Sequence, residues 1–389
     1  MLPSNTYSFQ EFFAGGGMVR QALGLNWNCV FANDFDGKKA LAYQENWGCM
    51  GELIVDDIKN IDASKIGNNV DLSWASFPCQ DLSLAGAGRG LDSSRSGMFF
   101  VFWEKLKRAS IDGEFPKVVI VENVTGMLSS NQGRDFQTVV KTFVDNGYRV
   151  GGLVIDAKEF VPQSRKRIFI VGVRKDIEVS ASLVKKFPSS VFHSNLLVRA
   201  HSCLSPSEKE DWIWFDLPSP KKNNSSLIDL LESENLVTWN SADKTKSILN
   251  RMSALNIAKV DLAKKSQRPE VGALFLRTRK HGNEKRVFAE VRFDGISGCL
   301  RTPNGGSSRQ SIILINGDHI RSRLLTPRET ARLMGLPECY KLPKNSNSAL
   351  HLTGDGVVVP VVEHLKVNLI EPLVSGVESF NTQHQHMYA

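Results

Sequence analysis

At 389 residues the chain is long enough for two domains with sizeable cores, and its charged and apolar fractions are those of a globular protein. No apolar run reaches the roughly 18 residues that span a bilayer. The start, Met1-Leu2-Pro3-Ser4-Asn5, has no basic region leading into an apolar core, so neither a membrane span nor a signal peptide is expected. The six cysteines, at 29, 49, 79, 203, 299 and 339, are scattered and form no CxxC pair. No metal site and no disulfide framework are expected, and a reducing cytoplasm is the expected setting. The net charge of +7 is uneven: Lys244 to Arg323 carries 17 lysines and arginines against 6 acids. A basic segment on a mildly acidic body is the footprint of a polyanion binder, although a solvated surface gives the same count.

Tyr7 to Phe12 reads as a strand running into Phe13-Ala14-Gly15-Gly16-Gly17 and then a helix from about Met18 to Leu23. Strand, Gly-rich turn and helix open a nucleotide-binding α/β unit, because glycine lets the backbone approach a ligand at the helix N-terminus. A second strand, Cys29 to Ala32, ends at Asn33-Asp34-Phe35. An acid about 20 residues after the turn accepts ribose hydroxyls, a role that falls to Asp34; its alternative is N-cap for the helix Gly37 to Asn46. A third strand, Leu53 to Val55, leads to Asp56-Asp57-Ile58.

The fourth strand, within Val70 to Ser76, delivers Phe77-Pro78-Cys79-Gln80. Proline ends a ladder, so Cys79 is expected at a strand exit, where ligands bind in open α/β sheets. A lone cysteine is otherwise read as a buried packing residue. The small, polar residues from Asp81 to Gly90 predict a loop able to close over a substrate, and Met98 to Lys107 predicts a helix. A fifth strand, Lys117 to Val121, ends in Glu122-Asn123-Val124. A carboxylate straight after an apolar run is poorly solvated and suits a group that holds or donates a proton near neutral pH. After a sixth strand, Tyr148 to Ile155, Pro162-Gln163-Ser164-Arg165-Lys166-Arg167 precedes a seventh, Ile168 to Val173. Arginines at i and i+2 of an extended chain share one side.

With Pro78-Cys79-Gln80, Glu122-Asn123-Val124 and Gln163-x-Arg165-x-Arg167 in place, the chain resembles the DNA (cytosine-5) methyltransferases of bacterial restriction–modification systems. The resemblance covers both ends and leaves a divergent stretch from about Asp176 to Val291. It implies a doubly wound, mostly parallel, Rossmann-like α/β methyltransferase sheet plus a smaller basic target-recognition domain. The implied boundaries are 1–176 for catalysis and cofactor, 177–320 for recognition, and 321–389 for a hinge and a segment returning to the catalytic domain. Trp212, Trp214 and Trp239 are expected to pack the smaller domain. It implies S-adenosylmethionine as cofactor, held by Phe13, Ala14, Gly15, Gly17, Asp34, Phe35, Asp57, Ile58, Pro78, Met98, Asp355 and Val357. Phe35 and Ile58 would meet the adenine ring and Asp57 its amino group. The chain departs where Glu11 replaces an aspartate, Cys299 a threonine, and Asp355-Gly356 an Asn-Ser pair. Leu324 to Gly335 resembles a structural motif, with Thr326 as N-cap, Pro327 at N1 and Glu329 at N3.

The resemblance also implies the chemistry. Cys79 adds to C6 of cytosine, Glu122 donates to N3, and Arg165 and Arg167 assist at the ring carbonyl. Since C6 is out of reach in a stacked duplex, the base must be flipped out. The implied partner is double-stranded DNA, with Arg301 and Arg309 expected on phosphates and Arg277, Arg279 and Arg292 on base edges. A separately acting restriction endonuclease, a monomeric state and association with the nucleoid are further expectations. A tRNA cytosine methyltransferase and a catalytically dead DNA binder are the alternatives.

Overall fold

The computed structural model describes residues 7–48, 50–78, 97–110, 114–188, 191–221, 224–281, 284–302 and 309–376. Among them, nine strands form one sheet: β1 (Tyr7–Phe12), β2 (Trp27–Asp34), β3 (Leu53–Val55), β4 (Leu72–Ala75), β5 (Val118–Val124), β6 (Tyr148–Asp156), β7 (Lys166–Arg174), β8 (Val184–Lys185) and β9 (Trp212–Phe215). Their order is β3-β2-β1-β4-β5-β7-β6-β9-β8. β3, β2, β1, β4 and β5 are parallel to one another, and β7 runs antiparallel to both β5 and β6. The chain reverses its direction of winding between β1 and β4, the point at which doubly wound sheets open a ligand crevice.

Burial on both faces explains the continuous apolar runs. Val118 and Ile120 of β5 enter one core, together with residues of α1 (Met18–Leu23) and α2 (Gly37–Trp47). Val119 and Val121 enter the other, with α3 (Met98–Ala109), α4 (Arg134–Asp145) and α5 (Asn195–Ser202). The two-residue period of the strand thus distributes one sequence run between two layers.

The sequence places Trp212 and Trp214 in the smaller domain, but the structure puts them in β9. That strand follows the short α6 (Pro206–Glu210) and pairs in parallel with β6, Val150 opposite Trp212 and Gly151 opposite Ile213. Glycine makes the approach possible. A Cβ at Gly151 would lie 2.4 Å from the Ile213 carbonyl oxygen and 2.5 Å from the Phe215 ring. The large sheet therefore extends well past residue 176.

A second, antiparallel sheet joins β10 (Glu270–His281), β11 (Glu284–Arg292), β12 (Ser311–Asn316) and β13 (His319–Leu324) in the order β11-β10-β12-β13. Helices α7 (Ala242–Leu249) and α8 (Ala254–Lys264) pack on it through Ile248, Val260 and Ala263. β13 leads into α9 (Pro327–Leu333), which opens with the anticipated capping box of Thr326 and Glu329 behind Pro327. Glu329 also receives two 2.7 Å hydrogen bonds from Arg323, and both side chains are buried. Arg323 adds to the basic count of the segment but is not free to meet a polyanion.

The chain returns to the large sheet through α10 (Ser346–Asp355), α11 (Val359–Leu365), a π turn and α12 (Glu371–Ser375). Lys366 donates to the carbonyls of Ala22 and Leu23 at the end of α1, and the Trp27 indole N–H donates to Glu371. No helix among the described residues is long and apolar enough to cross a membrane.

Candidate active site

The C-terminal ends of β1, β2, β4 and β5 meet the N-terminal end of β7 on one rim of the sheet. In the β5–β7 register, Val124 stands opposite Arg167 and Glu122 opposite Phe169. The Arg167 side chain crosses this diagonal and places Nε 3.0 Å from Glu122 Oε1. The pair is nearly enclosed, at 8% exposure for the glutamate and 18% for the arginine. Burial leaves the carboxylate few water partners, and the guanidinium supplies the opposite charge. Next to it, Asn123 Nδ2 donates to the Phe77 carbonyl at 3.3 Å, while its Oδ1 accepts from the N–H of Val124. This clamp fixes the exit of β4 at Phe77-Pro78. Cys79 itself, like the loop that follows, lies outside the described residues.

Gln163, Arg165 and Arg167 act as successive teeth on one side of the extended chain. Gln163 is fully buried; it donates to the Leu333 carbonyl and accepts from the Leu300 N–H. Arg165 is also buried, and its guanidinium donates to the carbonyls of Leu300 (2.9 Å), Gly354 (3.0 Å) and Gly356 (2.7 Å). The two arginines expected to share the base pocket therefore divide their work. Arg167 reaches the Glu122 carboxylate, whereas Arg165 ties the Leu300 segment to the C-terminal end of α10. Cys299 lies 3.6 Å from Arg165 Nη1. Burial works to raise its thiol, but Arg165, Arg167 and Arg301 outweigh that and hold it below the ordinary thiol range.

The Gly-rich turn is strained as ligand-binding turns often are. Phe13 has φ 59°, a left-handed conformation that costs a non-glycine residue about 1–2 kcal/mol. Gly15 and Gly17 also have positive φ, and a Cβ on Gly15 would point into open space. Asp34 Oδ2 accepts from the Gly15 N–H and Oδ1 from the Asp36 N–H, both at 2.8 Å. Burial raises the Asp34 carboxyl, with Lys39 and the two N–H donors working against the rise. The alternative N-cap role considered for Asp34 is taken by Asp36, which accepts from the Lys38 N–H. Phe35 is 70% exposed beside this acid, as a stacking surface would be. Asp57 is exposed at the next strand end and caps the turn that begins at Ile58. Ile58 and Val357 are core residues, and Ala14 is buried in the turn, its N–H donating to the Asn33 carbonyl. Met98 opens α3, and Asp355 closes α10.

These residues fit S-adenosylmethionine. The turn leaves space at Gly15, Asp34 keeps acceptor capacity for hydroxyls, and Phe35 offers an aromatic face.

The basic segment lines a cleft of about 1050 Å³. Ser164, Lys259, Arg277, Arg279, Arg292, Cys299, Arg301 and Arg309 all border it. Arg277 and Arg279 both pair with Glu290, Arg292 pairs with Asp294, and Arg309 donates to Asn347. Of the Gly-rich, basic run Gly298 to Arg309, which its composition suits to following a phosphate backbone, residues 303–308 lie outside the described residues.

Sequence reasoning assigned no role to Gln163, Asn123 or Lys39. The first two carried a signal: each is a polar residue adjoining or within a motif that borders an apolar strand.

The family model for C-5 cytosine-specific DNA methylase matches residues 7–371. The type II methyltransferase M.HhaI of Haemophilus parahaemolyticus is 26% identical over 364 residues, spanning 93% of each chain. M.HpaII of Haemophilus parainfluenzae is 26% identical over 388 residues, spanning 94% of this chain and 90% of that one. The solved structure of S. pombe Dnmt2 methyltransferase superposes with a TM-score of 0.57 at 21% identity, covering 94% of this chain and 99% of that one, which is a likeness of fold. The chain belongs to the C-5 cytosine-specific DNA methylase family: it is a DNA methyltransferase that carries a methyl group from S-adenosylmethionine to C5 of cytosine by the covalent route general to that family.

Proposed function

We propose that Cys79 is the nucleophile of this enzyme, Glu122 its proton donor at the base, Arg167 the cation at the ring carbonyl, and Arg165 the residue that positions them. Cys79 adds as thiolate to C6, forming an S–C bond and turning C5 into a nucleophilic enamine carbon. Glu122 holds the proton at N3 that makes this addition favourable. Arg167, ion-paired with Glu122, keeps that carboxyl in place. Bound S-adenosylmethionine supplies an electrophilic methyl carbon. A base then takes the C5 proton, and the Cys79 sulfur leaves C6.

The cofactor is held by the turn Phe13, Ala14, Gly15 and Gly17, by Asp34, Phe35, Asp57 and Ile58 at the next strand ends, and by Pro78, Met98, Asp355 and Val357. The antiparallel sheet with α7 and α8, roughly 241–324, reads the duplex as recognition domain. The nine-stranded sheet and the C-terminal helices form the catalytic domain. The enzyme acts as a monomer in the nucleoid-bearing cytoplasm, alongside a cognate restriction endonuclease that acts separately.

The observation that carries this reading is the enclosed Glu122–Arg167 pair at the rim where Asn123 fixes the Phe77-Pro78 exit. Duplex DNA containing 5-fluorocytosine tests it, because fluorine at C5 cannot leave as a proton does. Mass spectrometry of the trapped complex is expected to find the base on Cys79, and an adduct on any other residue overturns the assignment.

A further inference from the structure

Around the Gly-rich turn, three acids crowd one corner. Asp34 supports the turn itself, Asp36 caps α2, and Asp355 arrives from the far end of the chain. Facing them is Lys39, in the first turn of α2. Its Nζ is 2.6 Å from Asp355 Oδ2, and the lysine side chain is only 15% exposed against 36% for the aspartate. Burial works to lower the Lys39 ammonium, but Asp355, Asp34 and Asp36 together hold it above its ordinary range.

Asp355 is held in this orientation from several sides. The Thr302 hydroxyl donates to its other oxygen. A Cβ on Gly354 would lie 2.7 Å from the Arg301–Thr302 backbone, and one on Gly356 would lie 2.3 Å from Met18 Sδ. Arg165 fixes the carbonyls on either side of it. The chain thus carries a carboxylate where its family resemblance leads one to expect a neutral asparagine, and it meets that carboxylate with a lysine from a helix over 300 residues away in sequence.

We propose that Lys39 is a positioning residue for S-adenosylmethionine: its ammonium neutralises Asp355 and tempers Asp34, so that the corner accepts a cofactor bearing its own carboxylate. The inference rests on the placement of Asp34 and Asp355 at the cofactor. Without Lys39, Asp355 stands at the corner as an exposed carboxylate with no cation beside it. With neither charge present, the corner keeps the net charge it has in the wild type and binding returns.

The test is calorimetric titration of S-adenosylmethionine into the wild type, Lys39→Met, Asp355→Asn and the double variant, with thermal melting of each unliganded protein. Lys39→Met is expected to weaken binding about tenfold or more, and the double variant to recover to within about threefold of wild type. A merely structural ion pair would lower the melting temperatures of both single variants and leave affinity unchanged. An affinity of Lys39→Met within twofold of wild type overturns the proposal, as does a double variant no better than Lys39→Met. If Lys39→Met does not fold, the double variant decides alone, and a tenfold loss in it counts against the proposal. Asp34→Ala separates the two levels. Weaker binding in Asp34→Ala with unchanged binding in Lys39→Met sinks only this inference, whereas unchanged binding in both sinks the site placement beneath it.

Discussion

Replacing Arg165 with methionine keeps much of the side-chain volume but removes every donor. The carbonyls of Leu300, Gly354 and Gly356 then lose a partner at 2.7–3.0 Å. Each buried acceptor left without a donor costs about 1–3 kcal/mol. Against this, the wild type bears the desolvation of a fully enclosed guanidinium, which burial disfavours in its charged form. The net expectation is a loss of about 3–5 kcal/mol, the penalties of three carbonyls less the desolvation recovered. Arg165→Lys should recover little, since an ammonium cannot span three carbonyls that a planar fork reaches together. The assay is urea denaturation followed by intrinsic fluorescence, run beside methyl transfer and S-adenosylmethionine affinity. Arg167→Met provides the contrast, because Arg167 is the arginine that meets Glu122: it should lose turnover with cofactor affinity kept. Arg165→Met should lose stability and cofactor affinity together, because Gly354 and Gly356 flank Asp355. A destabilisation of Arg165→Met below about 1 kcal/mol, in the range of an ordinary surface change, would refute the reasoning.

Glu11 gives a pH signature. Burial pushes its carboxyl from 4.5 up to about 8, so the folded state favours the protonated acid more than the unfolded chain does. The stabilisation is fully present below about pH 4.5, drains away as pH rises, and is gone above about pH 8, a change on the order of 5 kcal/mol across that window. Glu11→Gln should flatten this slope, and pH-dependent denaturation curves with the same slope in both proteins would contradict it. In the cleft, Arg301→Ala should weaken binding to every duplex and lower the salt dependence, whereas Arg277→Ala should relax specificity at one base pair at a cost of about 1–3 kcal/mol. Binding titrations of specific and non-specific duplexes over a range of salt distinguish the two, and unchanged affinity and slope in both variants would move the reading face elsewhere.

Much of the candidate site's rim is legible in one dimension. Phe13 to Gly17 and Pro78 come just after a strand, and Asp34, Glu122 and Arg167 lie within the last or first few residues of one; local chain chemistry marks such ends: glycine where φ turns positive, proline where a ladder stops, an acid after an apolar run. The seven expected strands from Tyr7 to Val173 all form, with limits shifted by a few residues, because two-residue periodicity and β-branched runs are local properties. β9 was less legible. Its four residues look like packing aromatics until Gly151 opens a place for them beside β6.

What the sequence by itself determined is the set of chemical groups and their order at the strand ends, because these depend on neighbours a few residues away. What only the tertiary structure decided is partnership. Arg165 and Gly354 are 189 positions apart, and Lys39 and Asp355 are 316 apart. Arg323 counts as one more basic residue in its segment until Glu329 buries it. Charge and hydrogen-bonding capacity belong to the residue, but burial decides whether that capacity is spent inside the protein or offered to a ligand. Burial is settled by packing between segments that sequence distance does not relate.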